Sequence, residues 1–99
     1  MLKLVFHPDT SVEIKSSYLW YQEQAKGLGD DFLYELESAY QAIASMPDTW
    51  PKFSDHSQRF LLSKFPFSVI FHKENSVIFV LAIMHNSRKP GYWSERKIS

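Results

Sequence analysis

The stretch Val77–Met84 constrains this chain most: Val-Ile-Phe-Val-Leu-Ala-Ile-Met, apolar throughout. It is far too short for a membrane-spanning helix, which needs about 20 such residues. As a strand without polar alternation it must have both faces covered, so it belongs in the interior of a sheet. With 99 residues in all, the chain is expected to form a single domain over residues 1–99. Cysteine is absent, which excludes a disulfide framework, a Cys-ligated zinc site and a thiol nucleophile. Folding therefore rests on packing, and eight Phe, five Tyr and three Trp supply large side chains for it. A fold without disulfides suits the cytoplasm, and no N-terminal basic-then-apolar stretch reads as a signal peptide.

The rest of the chain arranges itself around that strand. Leu2–Phe6 alternates, with Leu2, Leu4 and Phe6 on one side, and reads as a short strand that Pro8 ends. Thr10-Ser-Val-Glu13 fits a capping box for a helix running to about Lys26, striped by Ile14, Tyr18, Tyr21, Ala25 and Leu28. Gly27 and Gly29 mark a stop and a turn. A second helix spans Asp30–Met46, with Asp30 and Asp31 favourably placed in its first turn and Phe32, Leu36, Ala39, Ile43 and Met46 as its stripe. The short link makes the two helices an antiparallel hairpin. Residues 47–57 read as a polar loop. Strands follow at Arg59–Lys64, Phe67–Lys73 and Val77–Met84, then a polar, aromatic tail over 85–99. The fold class is α+β: strand, helix, helix, three strands, an antiparallel sheet with the hairpin on one face. Tyr18, Tyr21, Phe32, Leu36, Ile43, Phe71, Phe79, Leu81 and Ile83 are the expected core.

Charge divides the chain. Residues 1–50 hold three basic and eight acidic residues, a balance of −5, and residues 51–99 the reverse, +5. Such asymmetry either provides a basic face for an acidic or nucleic-acid partner or is uneven charge that a small domain carries without using. Arg59 and Arg88 either grip an anion, since a guanidinium forks onto phosphate or carboxylate, or form ion pairs with the acidic helical hairpin. His85, directly after the apolar strand, either moves protons and contacts phosphate or braces the tail. Tyr92 and Trp93 either stack on bases beside Arg88, Lys89 and Arg96 or anchor the tail on the core. Histidines 7, 56, 72 and 85 show no metal-ligand spacing, and no metal or cofactor is expected.

Three stretches, Trp20–Phe32, Arg59–Phe71 and Ala82–Trp93, together resemble the RelE/ParE superfamily of toxins from bacterial type II toxin–antitoxin systems. The first matches its Trp-Tyr…Gly-Leu-Gly-Asp junction between helices, the second its hairpin around Phe65-Pro66-Phe67, and the third its His…Arg…Pro…Tyr-Trp ending. The resemblance implies a four-stranded, mainly antiparallel sheet, a small cognate antitoxin that wraps the toxin, and a role in plasmid stabilisation or growth inhibition. It also leaves a homodimer or a toxin–antitoxin hetero-oligomer open, and involves no membrane. Trp20 and Tyr21 would mark the antitoxin contact; Arg59, Arg88, Tyr92, Trp93 and Arg96 the target contact. The site is expected at the C-terminal edge of the sheet, with Arg59, His85, Arg88 and Tyr92 converging there.

Two activities occur in the superfamily. ParE-like members bind DNA gyrase, whereas RelE-like members cut ribosome-bound mRNA without metal. In a nuclease His85, Arg88 and Tyr92 would be catalytic. RelE-like nucleases carry a dense set of Lys and Arg on the middle strands, yet here Ser68 and Leu61 stand where such cations are usual, and the net charge is zero. Weak general attraction to RNA and the missing cations favour the ParE-like reading. The alternatives are the RelE-like activity and a homologue without toxicity.

Overall fold

The computed structural model describes residues 2–96. In chain order it contains β1 (Lys3–Phe6), α1 (Pro8–Gln24), α2 (Leu28–Ser45), a 3-10 turn at Pro47–Thr49, β2 (Lys52–Ser54), β3 (Ser57–Leu61), β4 (Phe67–Glu74) and β5 (Val77–His85). The class is α+β, with the strands forming one five-stranded sheet in the order β1-β5-β4-β3-β2.

The expected, mainly antiparallel sheet is present, with one parallel pair and one further strand. It is mixed, because β1 runs parallel to β5, pairing Lys3 with Val77 through Phe6 with Val80. The alternation in Leu2–Phe6 is the same for either direction, and no short turn links β1 to its neighbour. The sheet also gains β2, a strand of three residues inside the expected loop, too short to show a period. The remaining pairs are antiparallel, and β4 and β5 meet through a tight turn at Asn75, whose φ of 56° is left-handed and tolerable for asparagine.

Pro8 opens α1 rather than merely ending β1. It occupies the first turn, where its missing N–H costs nothing, and His7 is the N-cap, its Nδ1 accepting from Asp9 N at 3.1 Å. The capping box is therefore not formed: the Thr10 hydroxyl donates to the His7 carbonyl at 2.7 Å, which leaves Glu13 free for another role. Gly27 makes the turn between helices with a φ of 84°. Gly29 serves close approach instead, since a Cβ there would lie 2.7 Å from the Tyr18 carbonyl oxygen.

The helix hairpin covers one face of the sheet. Tyr21, Phe32, Leu36, Ala39 and Ile43 pack there on Phe67, Val69, Phe71, Ile78 and Val80. A smaller cluster, Ile70, Ala82, Met84 and Trp93, fills the opposite face, so both faces of β5 are covered. A bulge separates the pairs Ile70–Ala82 and Phe71–Val80 and leaves Leu81 without a partner on β4. It reverses the alternation: Ile78 and Val80 face the helices before it, Ile83 after it. Phe79 and Leu81, expected in the core, are consequently half-buried, as is Tyr18 at the hairpin seam beside Gly29.

Candidate functional site

α1 leaves β1 at residue 7 and crosses the edge of β5 where no strand continues. The last backbone bond on that edge is His7 N to the Val80 carbonyl, at 2.9 Å. The bulge follows at once, and its polar groups find side-chain partners. Glu13 Oε1 accepts from Ile83 N at 3.0 Å, and Arg96 Nη1 donates to the Leu81 carbonyl at 2.9 Å. Arg96 also forks onto Glu13, Nη1 to Oε1 at 3.1 Å and Nη2 to Oε2 at 3.0 Å. The Tyr92 hydroxyl donates to Glu13 Oε2 at 3.1 Å. One carboxylate thus accepts four hydrogen bonds, and it and the Arg96 side chain are each only 13% exposed. Asp9 adds a looser contact to Arg96 Nε at 3.8 Å.

These contacts set the proton affinities. Burial, then the charge and hydrogen bond of Glu13, push the Tyr92 phenol up to about 12, against the smaller opposing pull of Arg88 and Arg96. Burial works against the Arg96 charge, but the hydrogen bond and charge of Glu13 outweigh it and raise the guanidinium above its usual value. Tyr92 is therefore held as a protonated donor, and the Arg96 guanidinium is turned inward onto Glu13 and the Leu81 carbonyl.

A file of cations and rings runs over the outer sheet face. Arg59 lies 4.4 Å from the centre of the Phe53 ring, and Phe53 stacks on Trp93 at 5.4 Å and 19°. Trp93, 3% exposed, meets Tyr92 edge-on at 5.4 Å, and the exposed Arg88 sits 3.6 Å above the Tyr92 ring. Cation–π attraction of this kind holds a guanidinium flat while leaving its edge open to an anion. Around the file the middle strands present Leu61, Ser68 and Ile70; Ser68 is fully buried and donates to Asn86 Oδ1 at 2.5 Å.

His85 lies on the other face. Its ring packs edge-on to Phe67 at 5.0 Å, and its Nδ1 accepts from Ser87 N at 3.1 Å and approaches the Ser87 hydroxyl at 2.7 Å. A backbone N–H can only donate, so Nδ1 is the acceptor there. With Ser16, Ser17, Trp20, Tyr21, Pro66 and Phe67 it lines a cleft of about 510 Å³ between α1 and the end of β4 and β5. Trp20 is 56% exposed at its rim, whereas Tyr21 is buried among Phe32, Phe65 and Phe67.

Arg59, His85, Arg88 and Tyr92 therefore do not converge at one point. Arg88, Tyr92 and Arg96 meet, Arg59 joins them through Phe53 and Trp93, and His85 shares a separate cleft with Trp20. Glu13 does not stand out as a site residue in the sequence, because the capping-box spacing accounts for it and nothing local links it to Arg96. Among the described residues, no group of three or more His, Asp or Glu side chains is placed to hold a metal ion. No helix of the described residues is long and apolar enough to cross a membrane.

No family model matches the chain, and no curated protein matches it in sequence. Solved structures do. The fold is shared with a chain of the chromosomal ParDE TA system from P. aeruginosa. That chain superposes with a TM-score of 0.65 at 15% identity, over 86% of this chain and 96% of its own. At this identity the likeness is one of fold. It bears out the α+β architecture in which a helical hairpin covers one sheet face.

Proposed function

We propose that this chain is the toxin of a bacterial type II toxin–antitoxin pair, ParE-like in action, which inhibits DNA gyrase by direct contact and is neutralised by a cognate antitoxin. Its fold likeness to a chain of the ParDE system supports the toxin reading. The character of the outer sheet face carries the choice of contact over cleavage. Metal-free RNA cleavage needs cations around the phosphate and groups free to move protons. Here the middle strands offer Arg59 among Leu61, Ser68 and Ile70, and the Tyr92 phenol is engaged by Glu13. Arg59 and Arg88 on their aromatic supports suit the grip of an acidic protein surface. In this reading Tyr92 and Trp93 form the platform, Arg96 buttresses it, and Trp20 with Tyr21 marks the antitoxin cleft.

Induction of the chain without its partner in a bacterial host tests the reading. Filamentation with DNA-damage signalling is the expected result. Abrupt arrest of translation with cleaved transcripts would replace it with the RelE-like activity, and unchanged growth with a homologue that is not toxic. Calorimetry against the product of the adjacent gene tests the antitoxin; absence of binding refutes that part.

A further inference from the structure

We propose that Glu13 is the positioning residue for Arg88, acting through Tyr92 from across the sheet edge. The members of the file are tethered unequally. Trp93 is fixed by burial and by its stack on Phe53. Arg88 is exposed, has no hydrogen-bonded or ionic side-chain partner among the described residues, and touches the fold through the Tyr92 ring at 3.6 Å. The placement of that ring therefore sets the placement of the guanidinium. Tyr92 is in turn held at its hydroxyl by Glu13 Oε2, while the same carboxylate fixes Arg96, whose guanidinium lies 5.0 Å from the Tyr92 ring. Glu13 is itself immobilised from behind by the Ile83 N–H, a donor aimed by the bulge at Leu81. The chain of constraint runs from backbone to carboxylate to phenol to guanidinium, and each link is a directed contact.

The geometry also explains why a carboxylate is needed. Four donors converge on two oxygens: Ile83 N, Tyr92 Oη and both Arg96 Nη atoms. A carboxamide of the same shape accepts at one oxygen and presents an NH₂ at the other position, which would face either Arg96 and Tyr92 or Arg96 and Ile83. Glu13→Gln keeps the volume and breaks the arrangement.

The test reads Arg88 directly in the full chain. When a guanidinium stacks on a phenol ring, its Nε–H and Cδ protons are shifted upfield by the ring current. In the wild type these resonances should be displaced from ordinary arginine positions. In Glu13→Gln, at a temperature where the core amides of β4 and β5 remain native, more than half of the displacement should vanish. A residue that only stabilises the fold would lower the melting temperature and leave the displacement of the folded molecules unchanged, and that result overturns the proposal. If Glu13→Gln does not fold, Tyr92→Phe decides. It keeps the ring and the Glu13–Arg96 pair and drops the phenol–carboxylate bond; an undiminished Arg88 displacement refutes the positioning role.

The functional arm rests on the toxin reading. Arg88→Ala and Glu13→Gln should each raise the inducer dose for growth arrest by a similar factor, and the double variant should add nothing. An additive double variant argues against the shared route. If Arg88→Ala alone is fully toxic, the target reading of Arg88 fails, while the resonance experiment still judges the positioning.

Discussion

Glu13 occupies a place where an ordinary sheet would have another strand. Its carboxylate and the Arg96 guanidinium supply the acceptor and donor that a neighbouring backbone would have offered to Ile83 and Leu81. Both side chains are largely withdrawn from water, so removal of one charge strands the other. Glu13→Gln should cost about 3 kcal/mol in a denaturant titration. Tyr92 reports the same environment by titration. Its folded value of about 12 exceeds the unfolded 10.0, so the folded state holds the phenolic proton more tightly. The resulting stability is complete below pH 10 and is lost as pH rises from there through 12; ultraviolet difference titration should show a tyrosinate component near pH 12 that is missing in Tyr92→Phe. The sequence made the wrong use of Glu13 look satisfactory, because Thr10-Ser-Val-Glu13 meets a local pattern while the true partners lie 70 to 83 residues away. Arg88 and Tyr92 were readable as neighbours because Pro90 and Gly91 turn the chain between them.

Elements with a local signature were legible. The stripe Phe32, Leu36, Ala39 and Ile43 repeats at helical spacing and is buried as a unit, and β4 and β5 lie where their apolar runs do, whereas β3, Ser-Gln-Arg-Phe-Leu, starts two residues earlier and ends three residues earlier than the expected strand at Arg59–Lys64. The bulge was hidden because Val77–Met84 is apolar at every position and carries no phase that could reveal a reversal. Strand β2 and the direction of β1 depend on tertiary pairing alone. The hairpin seam offers a sharp test. At Gly29 an added methyl group meets the Tyr18 backbone, which cannot move aside as a side-chain tip can. Gly29→Ala should therefore destabilise by about 1–3 kcal/mol despite the better helix propensity of alanine, a fall of about 4–8 °C in melting temperature per kcal/mol. A second test concerns how α2 holds the turn before β4. The Glu35 carboxylate accepts from Ser63 N at 2.5 Å and from Lys64 N at 3.1 Å. In Glu35→Ala the amide exchange of Ser63 and Lys64 should accelerate on the order of tenfold, as expected for about 1.4 kcal/mol.

At the scale of the molecule, the sheet separates two surfaces that the sequence had merged. The cleft with Trp20 and His85 opens on the helix side, and the Arg59 to Arg88 file lies on the outer side. Under the proposed function the two should respond independently, because distant sites add. Trp20→Ala should weaken antitoxin binding by about 2 kcal/mol in calorimetry with toxicity unchanged, whereas Arg88→Ala should do the reverse. His85→Ala distinguishes mechanisms as well: a contact inhibitor loses at most about 1 kcal/mol of affinity, a nuclease using the imidazole on the order of 10²-fold in rate. The latch at the sheet edge has a consequence for time as well as for structure. The α1–α2 hairpin and the β3–β4–β5 meander close through short connections, but Glu13 and Arg96 stand 83 residues apart, and long loops close late. Their pairing therefore belongs after the folding barrier. Weakening it should leave the refolding rate nearly unchanged and shorten the lifetime of the folded molecule on the order of a hundredfold, the full effect of about 3 kcal/mol falling on unfolding. Stopped-flow measurements on Glu13→Gln would show the unfolding arm displaced and the refolding arm in place.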